Sequence, residues 1–442
     1  RQCGDMQEPM ELLELPGISL DYFLRGLAGE AYQDNAVFQE LYSWYLQSPE
    51  YRILVKKLTE ASFSERPSDK IGKTVAKILY GEISPYSATR LERFAACAFA
   101  HFLQYGLKVT ERAEYEFRAM DMGNVMHMAL EKFAVEVRKE GLDWAELTEE
   151  ERNRIIDSCL DQVSADYGNT VLKSSARNEY MIERTRRILR RTVWALQEQL
   201  KHGAFRPEGF EVRFQGGRID RVDIMEEPEN NRVYVKVIDY KTGNTSFDLL
   251  ALYHGLQLQL MVYLDGALQV EKRKYPDREI VPAGVFYYNV KDPMIQEKIH
   301  ADMESINEQM LKKMKMNGLV QADDNMSTKI DSTMASIPVS LNRDGSFSKR
   351  SSVASRKQFD VLGAYVRRKI CDIRESILDG NAAVEPYELG KKNACTYCPY
   401  LTVCGFDRKI PGYEFHRLSS IGEDALWKKI MKGEEENGSE MD

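Results

Sequence analysis

The sequence predicts a mixed α/β fold in which a few strands are embedded in helices. Apolar residues recur at helical spacing through most of the chain before Pro207, where strand signals are scarce. Three short runs then show the alternation of half-buried strands, at Phe210–Phe214, Gly217–Met225 and Arg232–Tyr240. A helical stretch and a further apolar run at Ile280–Val290 complete a helix–three strands–helix–strand order. This order indicates one mixed sheet covered by helices.

Helical periodicity also defines the elements around the predicted sheet. Residues up to about Gly81 have helical spacing and no catalytic pattern. The other predicted helices are Ser87–Gln104, Met122–Lys139, Thr148–Lys201, Asp248–Leu268, a helix opened by Pro293 that runs to about Lys315, and Lys357–Leu378. The segment 323–355, rich in Ser, Asp and Asn, is predicted as a loop, and the terminal GEEENGSEMD as a solvated, disordered acidic tail.

Size and composition narrow the class of protein. With 442 residues the chain can bury a large core and is expected to hold more than one domain. Because it begins with Arg, we expect a piece of a longer protein. No apolar run is long enough to span a bilayer, and no secretory signal opens the chain. Seven unevenly spaced cysteines argue against a secreted disulfide framework, so we expect a reducing cytoplasm.

The net charge of −8 does not exclude a nucleic-acid partner, because basic residues are clustered. The clusters are Arg184, Arg187 and Arg191 with Arg186 and Arg190, then Arg367 to Lys369, and Lys391 with Lys392. We expect most of them to be solvated faces and at least one to line a DNA channel if the chain binds DNA.

The strand around Val233 carries the strongest chemical signal. Alternation places these residues on one face: Val233, Val235, Val237, Asp239 and Lys241. Residues 226–231, EEPENN, have the composition of a hairpin loop, so Asp220 on the preceding strand lies opposite or diagonal to Asp239. Two close carboxylates repel each other unless a cation lies between them, and oxygen ligands suit Mg²⁺ or Mn²⁺. Lys241 beside them can orient or deprotonate a water, although a plain solvated hairpin end is the alternative.

Asp220 followed by Asp239-Tyr240-Lys241 resembles the PD-(D/E)xK nuclease pattern. More narrowly, the chain resembles the RecB-type nuclease domain of AddB subunits in bacterial AddAB (RexAB-type) helicase–nucleases. Three further segments carry this resemblance: SATRLERFAACAFAHFLQYGL at Ser87 to Leu107, MGNVMHMALEKF at Met122 to Phe133 with its Gly-x-x-x-His, and ACTYCPYLTVCGFD at Ala394 to Asp407. The resemblance implies a restriction-endonuclease-like core. It also implies three regions: a helical tail of a helicase-like part (1–84), the nuclease domain (85–410) and a C-terminal segment (411–442).

The resemblance also implies the members of a metal site. Asp220 and Asp239 are the expected ligands, and the backbone carbonyl of Tyr240 is a further one. His127, the His of the Gly-x-x-x-His element, is expected to point into the site and to ligate the metal. Lys241 is expected to position the attacking water and to stabilise charge on the phosphate.

Three more residues are expected near this metal. Glu211, on the strand before the hairpin, matches a Glu that the family often has there, and an edge-strand Glu facing water is the alternative. Gln259 and Tyr263 are four residues apart and share a helix face. They match the Gln-x-x-x-Tyr element of RecB-like nucleases, which implies that they steady the lysine or contact DNA.

The cysteines near the C-terminus indicate a metal centre of a different kind. Cys395-x-x-Cys398 followed by Cys404 supplies three thiolates, which suits zinc or an iron–sulfur cluster, with redox chemistry or no function as alternatives. A fourth ligand is needed, and Cys97 is the best candidate. The resemblance implies a [4Fe–4S] cluster at this place, acting as a structural staple.

We therefore expect a Mg²⁺-dependent DNA nuclease domain that cleaves a single strand delivered by a helicase, during double-strand break processing and recombination. The resemblance implies the 5′-terminated strand and an AddA-type partner subunit. The rival hypotheses are a non-catalytic, iron–sulfur-stabilised DNA-binding scaffold and a stand-alone Cas4-type exonuclease. The chain length and the helical leading segment disfavour the second rival.

Overall fold

The computed structural model describes residues 16–27, 36–62, 70–81, 87–111, 119–167, 175–295, 302–410 and 412–438. They form two compact units. The smaller unit comprises Arg1–Ser68 with Arg408–Tyr413, and the larger comprises Asp69–Asp407 with Glu414–Asp442. In the smaller unit, helices α1 (Pro16–Leu27), α2 (Ala36–Gln47) and α3 (Arg52–Ser62) enclose a small core that includes Phe23, Phe38 and Tyr45.

The larger unit combines helices with two sheets. Its helices are α4 (Lys73–Tyr80), α5 (Ala88–Ala96), α6 (Ala98–His101), α7 (Ala119–Lys139), α8 (Glu149–Asp166), α9 (Ala176–Lys201), α10 (Leu249–Tyr253), α11 (Gln259–Lys274), α12 (Met303–Lys313), α13 (Met326–Ile330), α14 (Arg356–Leu378), α15 (Leu401–Cys404) and α16 (Glu423–Gly438). Its strands are β1 (Arg206–Phe214), β2 (Gly217–Glu227), β3 (Arg232–Lys241), β4 (Glu279–Asn289), β5 (Asn317–Gln321), β6 (Val353–Ala354), β7 (Tyr387–Leu389), β8 (Lys392–Asn393) and β9 (His416–Arg417).

The main sheet places its strands in sequence order, from β1 to β6. Strands β1, β2 and β3 pair antiparallel, whereas β3 and β4 pair parallel through the crossover that contains α10 and α11. The carboxyl ends of β3 and β4 therefore meet at one edge of the sheet. Open α/β sheets bind ligands outside such carboxyl ends, so a ligand site is expected at this edge. The predicted mixed α/β core is confirmed.

Both faces of the sheet are covered. Val233, Val235 and Val237 of β3 face the core that includes α11, while Tyr234 and Ile238 face the core formed with helices α7, α8 and α9. Strand β3 is therefore buried on both sides, as a central strand next to a parallel crossover must be.

Several predicted boundaries differ from the structure. The helix expected over Asp248–Leu268 is two helices, because the chain turns between them at Gly255, whose φ of +79° suits only glycine well. The helix expected over Ser87–Gln104 is broken at Cys97, which is extended. The helix expected from Pro293 begins at Met303, where Asp302 accepts the N–H of Ser305 as a cap.

Other differences come from packing that has no local sequence signal. Strand β5 lies between the predicted helix and the predicted loop, where no element was expected, and β6 lies inside the segment predicted as a loop. Both strands form because they complete the sheet beside β4. The tail predicted as disordered is helical to Gly438, since Leu426, Trp427 and Ile430 anchor α16 in the core. Helix α4 belongs to the larger unit and packs in its core. The domain boundary expected after residue 84 stays a prediction, and residues 82–86 lie outside the described part of the chain.

A group of three charged residues is buried beneath the sheet. Asp223 is fully buried and accepts hydrogen bonds from Arg221 (2.6 and 2.9 Å), while Lys236 lies 2.9 Å from its carboxylate. The guanidinium of Arg221 lies over the ring of Trp144. Asp223 pairs with Lys236 in the β2–β3 ladder, whereas Asp220 accepts the backbone N–H of Tyr240.

We expect Asp223→Ala to lower the free energy of unfolding by about 3–5 kcal/mol, because it leaves two buried cations without their anion. Urea unfolding measures this loss. Asp277→Ala, at an exposed aspartate, is the matched control and should change the free energy by less than about 0.5 kcal/mol. A loss below about 1 kcal/mol for Asp223→Ala would contradict the assignment of a buried ion network.

No helix within the described residues is long and apolar enough to cross a membrane.

Candidate active site

The two predicted carboxylates meet at the open end of the β2–β3 hairpin. The last pair of the ladder joins Arg221 to Ile238, so the next position places Asp220 opposite Asp239. Asp220 accepts the backbone N–H of Tyr240 at 2.7 Å, which orients its carboxylate towards β3. Asp239 is only 2 % exposed. Burial and the nearby charge of Asp220 raise the pKa of Asp239 to about 6. A carboxylate in that environment favours a cation beside it.

Glu211 extends this pair to three carboxylates in a row. Its neighbours in β1 pair with Arg221 and Ile219, so Glu211 lies across from Asp220. Its side chain is 8 % exposed and forms an ion pair with Arg218. Burial and then the charge of Asp220 raise the pKa of Glu211 to about 7. Of the two alternatives for Glu211, the structure therefore shows the one in which it faces the site.

His127 closes the site from helix α7. Its Nδ1 lies 3.3 Å from Oδ2 of Asp220. Burial alone would lower the pKa of His127, but the hydrogen bond to Asp220 and the charges of Asp220 and Asp239 raise it above its ordinary value. A Cβ at Gly123 would lie 3.3 Å from Oγ1 of Thr242, so glycine allows α7 to approach the end of β3. The Gly-x-x-x-His element thus places its imidazole against the carboxylates.

These residues include a set of ligand atoms that could hold one metal ion. Within the described residues, His127, Glu211 and Asp220 offer ligand atoms that all lie within 4.8 Å of one another. Asp239 is outside this group and forms an ion pair with Lys241 at 2.5 Å. One buried oxygen each of Glu211 and Asp239 has no well-aligned hydrogen-bond donor, although Arg218 and Lys241 approach them as ions. Three neighbouring carboxylates and an imidazole fit Mg²⁺ or Mn²⁺.

Lys241 is held by a chain of polar contacts from helix α11. Its Nζ donates to Oε1 of Gln259 at 2.7 Å, and Nε2 of Gln259 donates to the hydroxyl of Tyr263 at 2.9 Å. The predicted Gln-x-x-x-Tyr pair therefore lies where it can steady the lysine. The backbone carbonyl of Tyr240 stays a predicted ligand, because only its N–H has a described contact in the site.

Glu92 on α5 is a residue of this site that the sequence did not reveal. Its Oε1 accepts the backbone N–H groups of Leu258 (2.7 Å) and Gln259 (2.9 Å), at the start of α11. A carboxylate at a helix N-terminus is favoured by the helix dipole, and here it fixes the residue that holds Lys241. Burial raises the pKa of Glu92 to about 7. The contact joins residues 166 positions apart, and no local pattern could predict it.

We expect Glu92→Ala to lower kcat by about 10- to 100-fold, as for other residues that orient a ligand from the second layer. Glu92→Gln keeps an acceptor oxygen for the two N–H groups and should retain most activity. A nuclease assay on both variants measures the difference. Equal losses in the Ala and Gln variants would contradict a positioning role through these N–H groups.

The same pair of variants has a pH signature. The pKa of Glu92 lies above its ordinary value of 4.5, so this carboxyl stabilises the fold below pH 4.5 and loses that contribution as pH rises to about 7. The stability of Glu92→Gln relative to the unsubstituted chain should therefore increase between these values and level off above them. Thermal unfolding across this range measures it.

Four cysteines line one small cavity elsewhere in the larger unit: Cys97, Cys395, Cys398 and Cys404. Cys97 lies between α5 and α6, and the other three lie on the loop around α15. Burial and the neighbouring sulfurs raise the pKa of Cys395 to about 11. Among the described residues, no three of these sulfurs lie within 4.8 Å of one another. Cys97, the predicted fourth ligand, thus lines the same cavity as the three cysteines near the C-terminus.

Four arginines of the basic cluster predicted on α9 form ion pairs with carboxylates. Arg187 and Arg191 form ion pairs with Asp292, and Arg186 and Arg190 form ion pairs with Asp157. The sequence analysis expected solvated faces for most clusters, and the structure adds that these four arginines are paired with carboxylates.

Comparison with known proteins agrees with this geometry. Residues 85–405 match the family model of the PD-(D/E)XK nuclease superfamily. The chain is 39% identical over 438 residues to the B subunit of the ATP-dependent helicase/deoxyribonuclease of Lachnoclostridium phytofermentans, which covers 94% of this chain and 38% of that protein. It is 33% identical over 458 residues to the corresponding B subunit of Alkaliphilus metalliredigens, covering 97% of this chain and 39% of that protein. The chain thus spans less than two fifths of the length of these curated relatives.

Proposed function

The chain belongs to the PD-(D/E)XK nuclease superfamily, and we propose that it hydrolyses phosphodiester bonds of DNA at the site described above. The observation that carries this proposal is the row of Glu211, Asp220 and Asp239 across three neighbouring strands, with Lys241 beside it. Burying carboxylates so near to one another is energetically unfavourable unless a cation binds between them. Metal-dependent hydrolysis of a phosphodiester needs such a cation.

The proposed cofactor at this row is Mg²⁺ or Mn²⁺. The residues that would hold it are Asp220, Asp239, His127 and Glu211, with the carbonyl of Tyr240 as a further ligand. When bound, the ion supplies Lewis-acid polarisation of the phosphate and a more acidic water.

Lys241 supplies the remaining chemistry from the protein side. Its ammonium group has three N–H bonds. Its described ion pair is with Asp239 and its described hydrogen bond is with Gln259, and it also lies over the ring of Tyr287. The remaining proton is available to the attacking water or to a phosphate oxygen. Because Gln259 is tied to Tyr263, the ammonium is oriented before substrate arrives, which is the condition for electrostatic stabilisation of developing charge.

The names of the relatives support a substrate and a partner. These relatives are B subunits of ATP-dependent helicase/deoxyribonucleases. We propose that this chain is the nuclease part of such a protein, that it works with an AddA-type partner, and that it cleaves a single strand released by unwinding. The 5′-terminated strand and a role in double-strand break processing and recombination are parts of this proposal.

A [4Fe–4S] cluster is the proposed ligand of the four cysteines. The four thiols line one cavity, so together they supply the four ligands that such a cluster needs. Such a cluster would join Cys97 to the C-terminal cysteine loop and act as a structural staple for the nuclease domain.

The test uses the full chain and single-stranded DNA labelled separately at each end. We expect hydrolysis with Mg²⁺ or Mn²⁺, none in EDTA, and products that identify the degraded end. DNA binding without metal-dependent hydrolysis, alone and with the partner protein, would support the rival non-catalytic scaffold.

A further inference from the structure

A cleft rich in basic residues opens beside the candidate active site. It is lined by the loop after β3, the end of β4, the last turn of α12, the start of β5 and the segments before β6. Its lining contains five cationic residues and no carboxylate: Lys291, Lys312, Lys313, Lys315 and Arg350. In a chain with a net charge of −8, such a concentration of one sign indicates an anionic ligand.

The wall of the cleft is tied to the strand that carries the catalytic lysine. Lys241 pairs with Asn289 in the β3–β4 ladder, where neighbouring strands lie about 4.8 Å apart. The Asn289 side chain accepts the N–H of Thr245 at 3.1 Å and donates to its carbonyl at 3.0 Å. The cleft therefore begins one strand away from Lys241, at the same edge of the sheet, and its loop is held in place by two hydrogen bonds.

Three of the five cations have free capacity for a ligand. Lys312 forms an ion pair with Glu308, and Lys313 donates to the carbonyl of Met294. Within the part of the chain that the structure describes, Lys291, Lys315 and Arg350 have no carboxylate at ion-pair distance. Burial lowers the pKa of Lys315, and the charge of Asp331 opposes this effect.

The remaining lining residues identify the part of the ligand that is recognised. Asn244, Thr245 and Ser246 offer hydrogen-bonding groups suited to phosphate and sugar oxygens. The lining includes no aromatic ring on which a base could stack. Contacts of this kind position a strand without reading its sequence.

We propose that this cleft binds the sugar–phosphate backbone of single-stranded DNA next to the scissile phosphate. The proposal rests on the proposed function, because the DNA strand that enters the cleft is the one whose phosphodiester bond is cleaved at the site beside Lys241. It assigns Lys291, Lys315 and Arg350 as phosphate-binding residues, and the strand is bound whatever its sequence.

The test compares two double variants of the full chain that remove the same number of lysines. Lys291→Ala/Lys315→Ala changes the cleft, whereas Lys428→Ala/Lys429→Ala removes exposed lysines of α16 outside it. Binding of fluorescent oligothymidylate is measured by anisotropy in EDTA over a range of salt concentrations. We expect the cleft variant to bind about tenfold more weakly, and its salt slope to fall by about 1.4, since each phosphate contact on a single strand contributes about 0.7.

Controls separate this result from misfolding and from failure of the nuclease assignment. Lys291→Arg/Lys315→Arg should recover most of the affinity, and thermal unfolding should match for all variants. Equal affinity and slope in the cleft and α16 variants would overturn the proposal. Polyglutamate that binds the unsubstituted chain as tightly as oligothymidylate would overturn it too. Because binding is read without metal, a chain that never hydrolyses DNA could still lose affinity in the cleft variant. That result would support DNA binding in the cleft and would contradict only the proposed nuclease function.

Discussion

We expect Asp239→Asn to lower the metal-dependent nuclease rate by on the order of 10³-fold or more. The substitution removes one of the paired carboxylates opposite Asp220 and the ionic partner of Lys241. Both the cation site and the orientation of the ammonium are then lost together. A single-turnover assay with labelled single-stranded DNA and saturating Mg²⁺ measures the rate.

The same variant should not lose stability, and this separates chemistry from folding. The pKa of Asp239 is raised from 3.8 to about 6 by burial and by Asp220. Its carboxyl therefore stabilises the fold only at low pH, and that contribution is gone above about pH 6. At pH 7.5 in EDTA, a neutral Asn should leave the midpoint of thermal unfolding unchanged or higher.

The matched control for this prediction is Glu229→Gln, which removes an exposed carboxylate from the loop of the same hairpin. It should leave both the rate and the unfolding midpoint unchanged. Activity within a few-fold of the unsubstituted chain for Asp239→Asn would remove this residue from the catalytic machinery.

The second large effect is expected at the cysteine cavity. Cys398→Ser should abolish iron and sulfide incorporation and lower the free energy of unfolding by about 5 kcal/mol, the scale of a cross-link that closes a very long loop. The link would otherwise join α5 to the C-terminal part of the nuclease domain. Anaerobic purification, elemental analysis and limited proteolysis measure the loss.

Cys371→Ser is the matched control, because Cys371 is an exposed cysteine on α14 outside the cavity. It should keep the iron content and the protease resistance of the unsubstituted chain. Stoichiometric zinc without iron in the unsubstituted chain would contradict the [4Fe–4S] proposal. Full iron in Cys398→Ser would remove Cys398 from the ligand set.

The central hairpin and its two aspartates could be predicted from the sequence because each signal is local. Alternation decides which side chains share a face, and the loop EEPENN determines which residues of the two strands are opposite. Once the loop centre is known, the pairing of Asp220 with Asp239 follows from counting. The spacing of Gln259 and Tyr263 fixes their common helix face in the same way.

The ends of other helices and strands were predicted less well, because they depend on packing against segments far away in the sequence. The two-residue strand β6 exists only as a partner of β5, and α16 continues through acidic residues because Leu426 and Ile430 are buried. Tertiary contacts routinely override weak local preferences of this size.

The sequence alone therefore determined the mixed fold and the hairpin that carries Asp220 and Asp239. Only the tertiary structure decided that Glu92 caps the helix carrying Gln259, and that a basic cleft lies beside Lys241. Periodicity and turn chemistry act over a few residues, so they can be read along the chain. Contacts between segments many residues apart depend on how helices and strands pack, and this packing leaves no pattern in the sequence between them.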